Sequence, residues 1–246
     1  MMNRFRLVAL LVASVWTFSV HAETYVVAVG ISNYQYIPDL VLPENDAKVM
    51  AKLYKTRTKN VITMTGRYAT RANIVKAMSD QFKRAKEGDM VVLFFSGHGY
   101  IGGFCPYDMS AKGKNSLSYN DIYAIFRQSK ATRKVVIADA CMSGGLRKEK
   151  NNRHGTSKKT SDVVMFLSSR SNEYSIENTK MDNGFFTAYL SRGLRGGADS
   201  NLDKIITAKE IFEFVSNGVN ELSKDKQHPV MWGNFDDDFI MVDWRN

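Results

Sequence analysis

His98 sits in the run Phe95-Ser96-Gly97-His98-Gly99, and Cys141 in Asp139-Ala140-Cys141-Met142-Ser143-Gly144-Gly145. Both follow apolar stretches and both have glycine close by, which lets another backbone approach and permits turns with positive φ. Side by side, a thiol and an imidazole form a nucleophile pair: the thiolate attacks a carbonyl and the imidazole manages the proton. Taken singly each has a plainer role, the cysteine as a small buried hydrophobe and the histidine as a polar loop residue. Their shared setting at two strand ends favours catalysis. A zinc site needs three or four close ligands. His154 and His228 lie in a polar loop and before Pro229, so no metal or other cofactor is expected at this pair.

The elements that must position the pair are legible from apolar spacing. Tyr25 to Ile31 is a continuous apolar run, the mark of a strand covered on both faces. Val61 to Met64, Met90 to Phe95, Val135 to Ala138 and Val163 to Leu167 are further strands. Between them apolar residues recur at helical spacing. Ala47, Met50, Ala51 and Tyr54 do so within Asn45 to Arg57. Ile74, Ala77, Met78 and Phe82 follow a Thr70 cap in a helix ended by Gly88, and Tyr119 to Gln128 is a third helix. Two more helices are expected, from about Phe185 to Leu194 and from Ala208 to Leu222, with Phe239 to Val242 closing the sheet as a last strand. Buried strands alternating with amphipathic helices predict an α/β sandwich with a mostly parallel sheet. In such sheets ligands gather beyond the carboxyl ends of the strands, where His98 and Cys141 stand.

Gly97-His98-Gly99-Tyr100-Ile101-Gly102 matches the dinucleotide fingerprint G-x-G-x-x-G directly after a strand. That motif works only if a helix begins there and turns its N-terminus to the pyrophosphate. Gly103, Phe104, Cys105 and Pro106 follow instead, with no helical period before about Tyr119. A nucleotide-dependent oxidoreductase is therefore the weakest of the readings.

The chain has 246 residues, 44% hydrophobic and 24% charged, which excludes disorder, collagen and coiled coil and suffices for one sizeable core. Two cysteines cannot build a disulfide framework. Arg4 and Arg6 precede the apolar run Leu7 to Val15, and small residues end at Ala22. That is the pattern of a secretory signal peptide, too short for a permanent span. We therefore expect residues 1–22 to be removed and the product to be secreted or periplasmic, with no stable membrane span. The net charge of +9 drops by two with that segment, and the linker between Arg147 and Lys159 holds most of the remainder: six basic residues against the single Glu149. A nucleic-acid surface needs its charge on a folded face with aromatics between. This linker has no aromatics, and no nucleic-acid partner is expected.

Taken in order, several segments resemble the caspase-like cysteine peptidases, metacaspases in particular. They are Ala28-Val29-Gly30-Ile31-Ser32-Asn33-Tyr34, Pro43-Glu44-Asn45-Asp46-Ala47, Phe95-Ser96-Gly97-His98-Gly99, Pro106-Tyr107-Asp108, Asp139-Ala140-Cys141, Gly184-Phe185-Phe186-Thr187 and Gln227-His228-Pro229. The resemblance implies a three-layer sandwich on a six-stranded sheet. It divides residues 23–246 into a large-subunit-like part (23–145), a basic linker (146–161) and a small-subunit-like part (162–246). It implies His98 as acid and base, Cys141 as nucleophile, and the backbone amides of Gly99 and Cys141 as oxyanion hole. Asp46 and Asp139, with Ser96 as a third member, match the positions that receive the residue before the cut. Two carboxylates there favour Arg or Lys in a protein or peptide substrate. The rival role for Asp46 is an acid at a helix N-terminus. A linker rich in Arg and Lys would then be cut by the enzyme itself.

Some features depart from that pattern. Met142 stands where metacaspases usually carry His, and between Gly102 and Asp121 only Asp108 is acidic, so the acidic cluster behind calcium dependence is not evident. Asp199, Asn201, Asp203, Thr207 and Glu210 fall at calcium-ligand spacing, but Lys204 occupies the glycine position, and a capped helix starting near Thr207 explains most of them. Cys105 either pairs with Cys141 or packs in the core. The rival to a peptidase is a catalytically silent module of the same fold serving as a scaffold.

Overall fold

The strands alternate in which face they cover, and this splits the core in two. Val26, Ala28, Val92, Phe94, Val135 and Ile137 belong to one buried cluster, while Val27, Val29, Leu93, Phe95, Val136 and Ala138 belong to the other. A strand apolar at every position can only be satisfied with a layer on each side. The computed structural model describes residues 22–140, 162–169, 182–233, 235–236 and 238–245. Residues 1–21, where a signal peptide is expected, and Cys141, the basic linker and His154 lie outside the described residues.

The chain runs β1 (Thr24–Gly30), α1 (Pro43–Lys55), β2 (Val61–Thr65), α2 (Arg71–Phe82), β3 (Met90–Gly97), β4 (Gly99–Tyr100), β5 (Gly103–Phe104), β6 (Leu117–Ser118), α3 (Tyr119–Gln128) and β7 (Arg133–Ala140). It continues with β8 (Asp162–Leu167), α4 (Phe185–Arg192), β9 (Ile205–Thr207), α5 (Ala208–Leu222), β10 (Val230–Gly233) and β11 (Ile240–Asp243). The central sheet has six strands in the order β10-β8-β7-β3-β1-β2. All its pairs are parallel except β10 against β8. Helices α1, α4 and α5 supply Met50, Phe186, Leu190, Ile211 and Val215 to one face, and α2 and α3 supply Ile74, Met78, Phe82, Ile122 and Phe126 to the other. This is the expected three-layer α/β sandwich.

Local signals set several boundaries. Thr70 accepts the Asn73 N–H and starts α2, and Ser118 and Asp121 cap α3 reciprocally. Helix α2 stops at Phe82, and Gly88 belongs to the turn beyond it. One expectation fails: Phe239 to Val242 does not close the main sheet. Residues Ile240–Asp243 pair antiparallel with β9 in a separate two-stranded sheet, with an irregularity between Ile240 and Val242. The edge place goes to β10, which pairs Val230 with Leu167 and Gly233 with Val164. Four residues with a terminal glycine and an exposed Trp232 carry little period to read.

Candidate active site

Chain direction and register bring the singled-out residues to one end of the sheet. Strand β1 is flanked by β2 on one side and β3 on the other, so the connections diverge where β1 meets β3. The carboxyl ends beside such a divergence form the natural binding crevice. Register then places Ser96 opposite Asp139 and Gly97 opposite Ala140. The residue before His98 is thus paired with the residue before Cys141.

His98 follows β3 and is partly buried. Its Nε2–H donates to the carbonyl oxygen of Pro38 at 2.9 Å. A carbonyl only accepts, so Nε2 carries the hydrogen, and in the neutral ring Nδ1 keeps the lone pair. The His98 backbone N–H donates to the Tyr34 hydroxyl at 2.7 Å, and the two rings lie 5.0 Å apart, tilted by 44°. Gly97 has φ +152°, and a Cβ there would run into the Tyr34 hydroxyl. The glycine is therefore required by both the turn and the close approach. Asp39 follows Pro38. Its carboxylate is held below the usual range chiefly by the Tyr34 N–H at 2.8 Å, then by Asn33, with a smaller contribution from the charge of His98. Gly99 opens β4, which pairs with β5, so a short hairpin follows His98 and the next helix is α3. No helix N-terminus meets the glycine motif, and the dinucleotide reading falls.

Asp46, Ser96 and Asp139 converge under this crevice. Ser96 shares the parity of Phe94, and Asp139 that of Ile137, so both face the layer of α1 and α4. Asp46, from the first turn of α1, accepts the Ser96 hydroxyl at 2.8 Å, the Asn183 Nδ2–H at 2.8 Å and the Gly184 N–H at 3.1 Å. These bonds cross to β3 and to the entry of α4, so the side chain does more than complement its own helix dipole. Asp139 accepts the Thr187 N–H at 3.2 Å and its hydroxyl at 2.9 Å. Asp46 is 2% exposed and Asp139 7%. A Cβ on Gly184 would lie 2.5 Å from Asp139 Oδ2 and 3.5 Å from Asp46 Oδ2, so both carboxylates flank the glycine. Burial first and the neighbouring Asp139 second push the Asp46 carboxyl up to about 7, against the pull of its hydrogen-bond donors.

The calcium-spaced loop is occupied by its own backbone. Asp199 accepts the Asp203 and Lys204 N–H groups, and Asn201 and Asp203 accept those of Asp203 and Ile205. Glu210 forms a capping box with Thr207 and also accepts from Ser200. Among the described residues no group of three or more His, Cys, Asp or Glu is arranged to hold a metal. Cys105 is a buried free thiol in the core against α2 and α3, pushed up to about 12 by burial.

The structure adds participants that residue type alone did not single out: the Pro38 carbonyl, the Tyr34 hydroxyl, Asn183 and Thr187. Tyr34 and Thr187 lie in segments already noted, but nothing in their type specifies whom they hold. Pro38 acts through its backbone, which no side-chain pattern reveals.

The caspase domain family model matches residues 23–240. No curated protein matches the chain. Among solved structures, the crystal structure of protein GSU0716 from Geobacter sulfurreducens is similar with a TM-score of 0.67 at 19% identity, over 90% of this chain and 98% of that one. That likeness shows a shared fold. The family match spans nearly all of the chain from the start of β1, including the sequence positions of His98, Asp139 and Cys141. The chain belongs to the caspase domain family.

Proposed function

We propose that this chain is an exported cysteine endopeptidase that cuts after Arg or Lys. Cys141 is the nucleophile and His98 its acid and base. The observation that carries the reading is the pair of buried carboxylates, Asp46 and Asp139, beneath strand ends that lead directly into His98 and Cys141. A buried pair of like charges is costly unless a cation joins it, and a guanidinium bridging both carboxylates meets that need with bidentate geometry. Lysine satisfies the charge but not the fork.

The chemistry follows from the imidazole's setting. With Nε2–H fixed on Pro38, Nδ1 accepts the Cys141 thiol proton as sulfur attacks the scissile carbonyl. The N–H groups of Gly99 and Cys141 take the charge that develops on the carbonyl oxygen. His98 returns the proton to the leaving amine, leaving a thioester. Water then gives its proton to Nδ1, attacks the thioester and releases the acid, and the proton returns to sulfur. The basic linker between Arg147 and Lys159 is a substrate of the same type and is cut by the enzyme itself. Residues 1–22 direct export and are removed.

The test is a fluorogenic peptide panel that varies the residue before the cut, run on the mature chain and on Cys141→Ala. Cleavage after Arg and Lys that disappears in Cys141→Ala is expected, with intact-mass measurement showing linker cuts in the active chain only. Cleavage after Asp would overturn the specificity. Absence of any Cys141-dependent cleavage would favour the scaffold reading.

A further inference from the structure

The motif Gln227-His228-Pro229 has no part in the chemistry above, yet its glutamine is buried with 0% exposure. Its side chain shows what it does. Gln227 Nε2–H donates to the Ser168 carbonyl at 2.9 Å. The Ser168 hydroxyl accepts the Ala140 N–H at 3.1 Å and donates to the Ala140 carbonyl at 3.4 Å. Ala140 directly precedes Cys141.

The location gives this chain of contacts its meaning. The β7–β8 ladder has its last paired residues at Ala138 and Leu167, followed by a Ser168 N–H donated to the Ala138 carbonyl at 2.9 Å. Toward β3 the register continues as far as Gly97 and Ala140. On the β8 side a side-chain hydroxyl therefore holds the Ala140 peptide where the ladder has run out. Gln227 is anchored in turn, its N–H donating at 3.1 Å to the Ser223 hydroxyl at the end of α5. Ser168 and Gln227 are both 0% exposed and Ala140 is 1% exposed. Polar groups so deeply buried are tolerated only when paired, and a paired network fixes a single arrangement.

We propose that Ser168 and Gln227 are positioning residues for the nucleophile, orienting the peptide from which Cys141 departs. The inference rests on Cys141 being the nucleophile, as proposed above. A displacement of about 1 Å in a reacting group lowers turnover about 100-fold, so the consequence falls on kcat. KM, set by the Asp46–Asp139 pair, stays as it is.

The mature chain, Ser168→Ala, Gln227→Glu and Cys141→Ala are compared on one Arg peptide, with thermal melting recorded in the same buffers. Ser168→Ala is expected to melt cooperatively, to lose about 10- to 100-fold in kcat and to keep the KM of the parent. Gln227→Glu is expected to acquire a pH dependence. As an acid its O–H donates to the Ser168 carbonyl, whereas as a carboxylate it repels that carbonyl, so its kcat relative to the parent falls as pH rises. Unchanged kcat in a folded Ser168→Ala, a loss expressed in KM alone, or a flat ratio for Gln227→Glu would overturn the proposal while the peptidase reading stands. Failure of both variants to fold would make the contact purely structural and also overturn it. A parent chain with no Cys141-dependent cleavage would remove the peptidase reading and this inference together.

Discussion

At the residue scale, the site depends on groups whose ordinary chemistry is bent by their surroundings. Asp46 is the clearest case, its carboxyl pushed up to about 7 by burial and by Asp139. Because the folded value lies above the unfolded one, the neutral form stabilises the fold fully below about pH 4, and that contribution is lost as pH rises toward 7. Asp46→Asn removes this dependence. Its melting temperature relative to the parent should therefore be higher at pH 8 than at pH 5, and scanning calorimetry at both values checks the sign. Binding runs the other way. A cationic substrate side chain needs the carboxylate ionised, so KM for an Arg peptide is expected to fall as pH rises toward 7 and to level above it. Asp46→Asn should lose about 30-fold or more in kcat/KM on that peptide, since removing one member of a buried charge pair costs about 2 kcal/mol or more. Tyr34 acts differently, through the His98 N–H that its hydroxyl accepts. Tyr34→Phe leaves that N–H without this acceptor, so a loss of about 1–3 kcal/mol in stability is expected from denaturant melts. A lower kcat at unchanged KM should accompany it.

At the scale of elements, the entry of α4 is what closes the carboxylate site. Asn183 and Gly184 reach Asp46, and Thr187 reaches Asp139, so one short segment grips both acids. Only glycine fits at position 184, because a Cβ there would stand 2.5 Å from Asp139 Oδ2. Gly184→Ala is expected to raise KM for Arg peptides by at least about tenfold, a displaced carboxylate losing much of a charge-assisted bond of about 1.5–3 kcal/mol. Steady-state kinetics on Arg and Lys peptides reads this directly. The sequence showed the strands and helices around this segment well, because continuous apolar runs and helical spacing each have one physical meaning. It showed β4, β5, β6 and β9 poorly, since strands of two or three residues carry no period. The swap of Phe239 to Val242 for Val230–Gly233 at the sheet edge has the same origin: both are short, and the choice is settled by which one β8 can pair.

At the scale of the molecule, the sheet order converts distant sequence positions into one site. Residues 34, 46, 98, 139, 168, 184 and 227 come from segments spread along the chain and meet because β1, β3, β7 and β8 lie side by side with their carboxyl ends together. His98 was legible beforehand because a reactive side chain at a strand end stands out against an apolar run, whereas Asp46, in the first turn of α1, and Ser96 and Asp139 were singled out by the resemblance to caspase-like peptidases. The hydroxyls of Tyr34 and Ser168 were not, since a serine after a strand or a tyrosine in a loop has many possible partners and only the fold chooses among them. The central claim is that one thiol works beside a site built for a cation. It is tested most directly by treating the mature chain with a peptidyl-Arg chloromethyl ketone and, separately, with its Asp counterpart, then mapping the adduct by mass spectrometry. A single adduct on Cys141, formed with the Arg reagent much faster than with the Asp reagent and absent in His98→Ala, is the predicted result. An adduct elsewhere, or faster labelling by the Asp reagent, would contradict it.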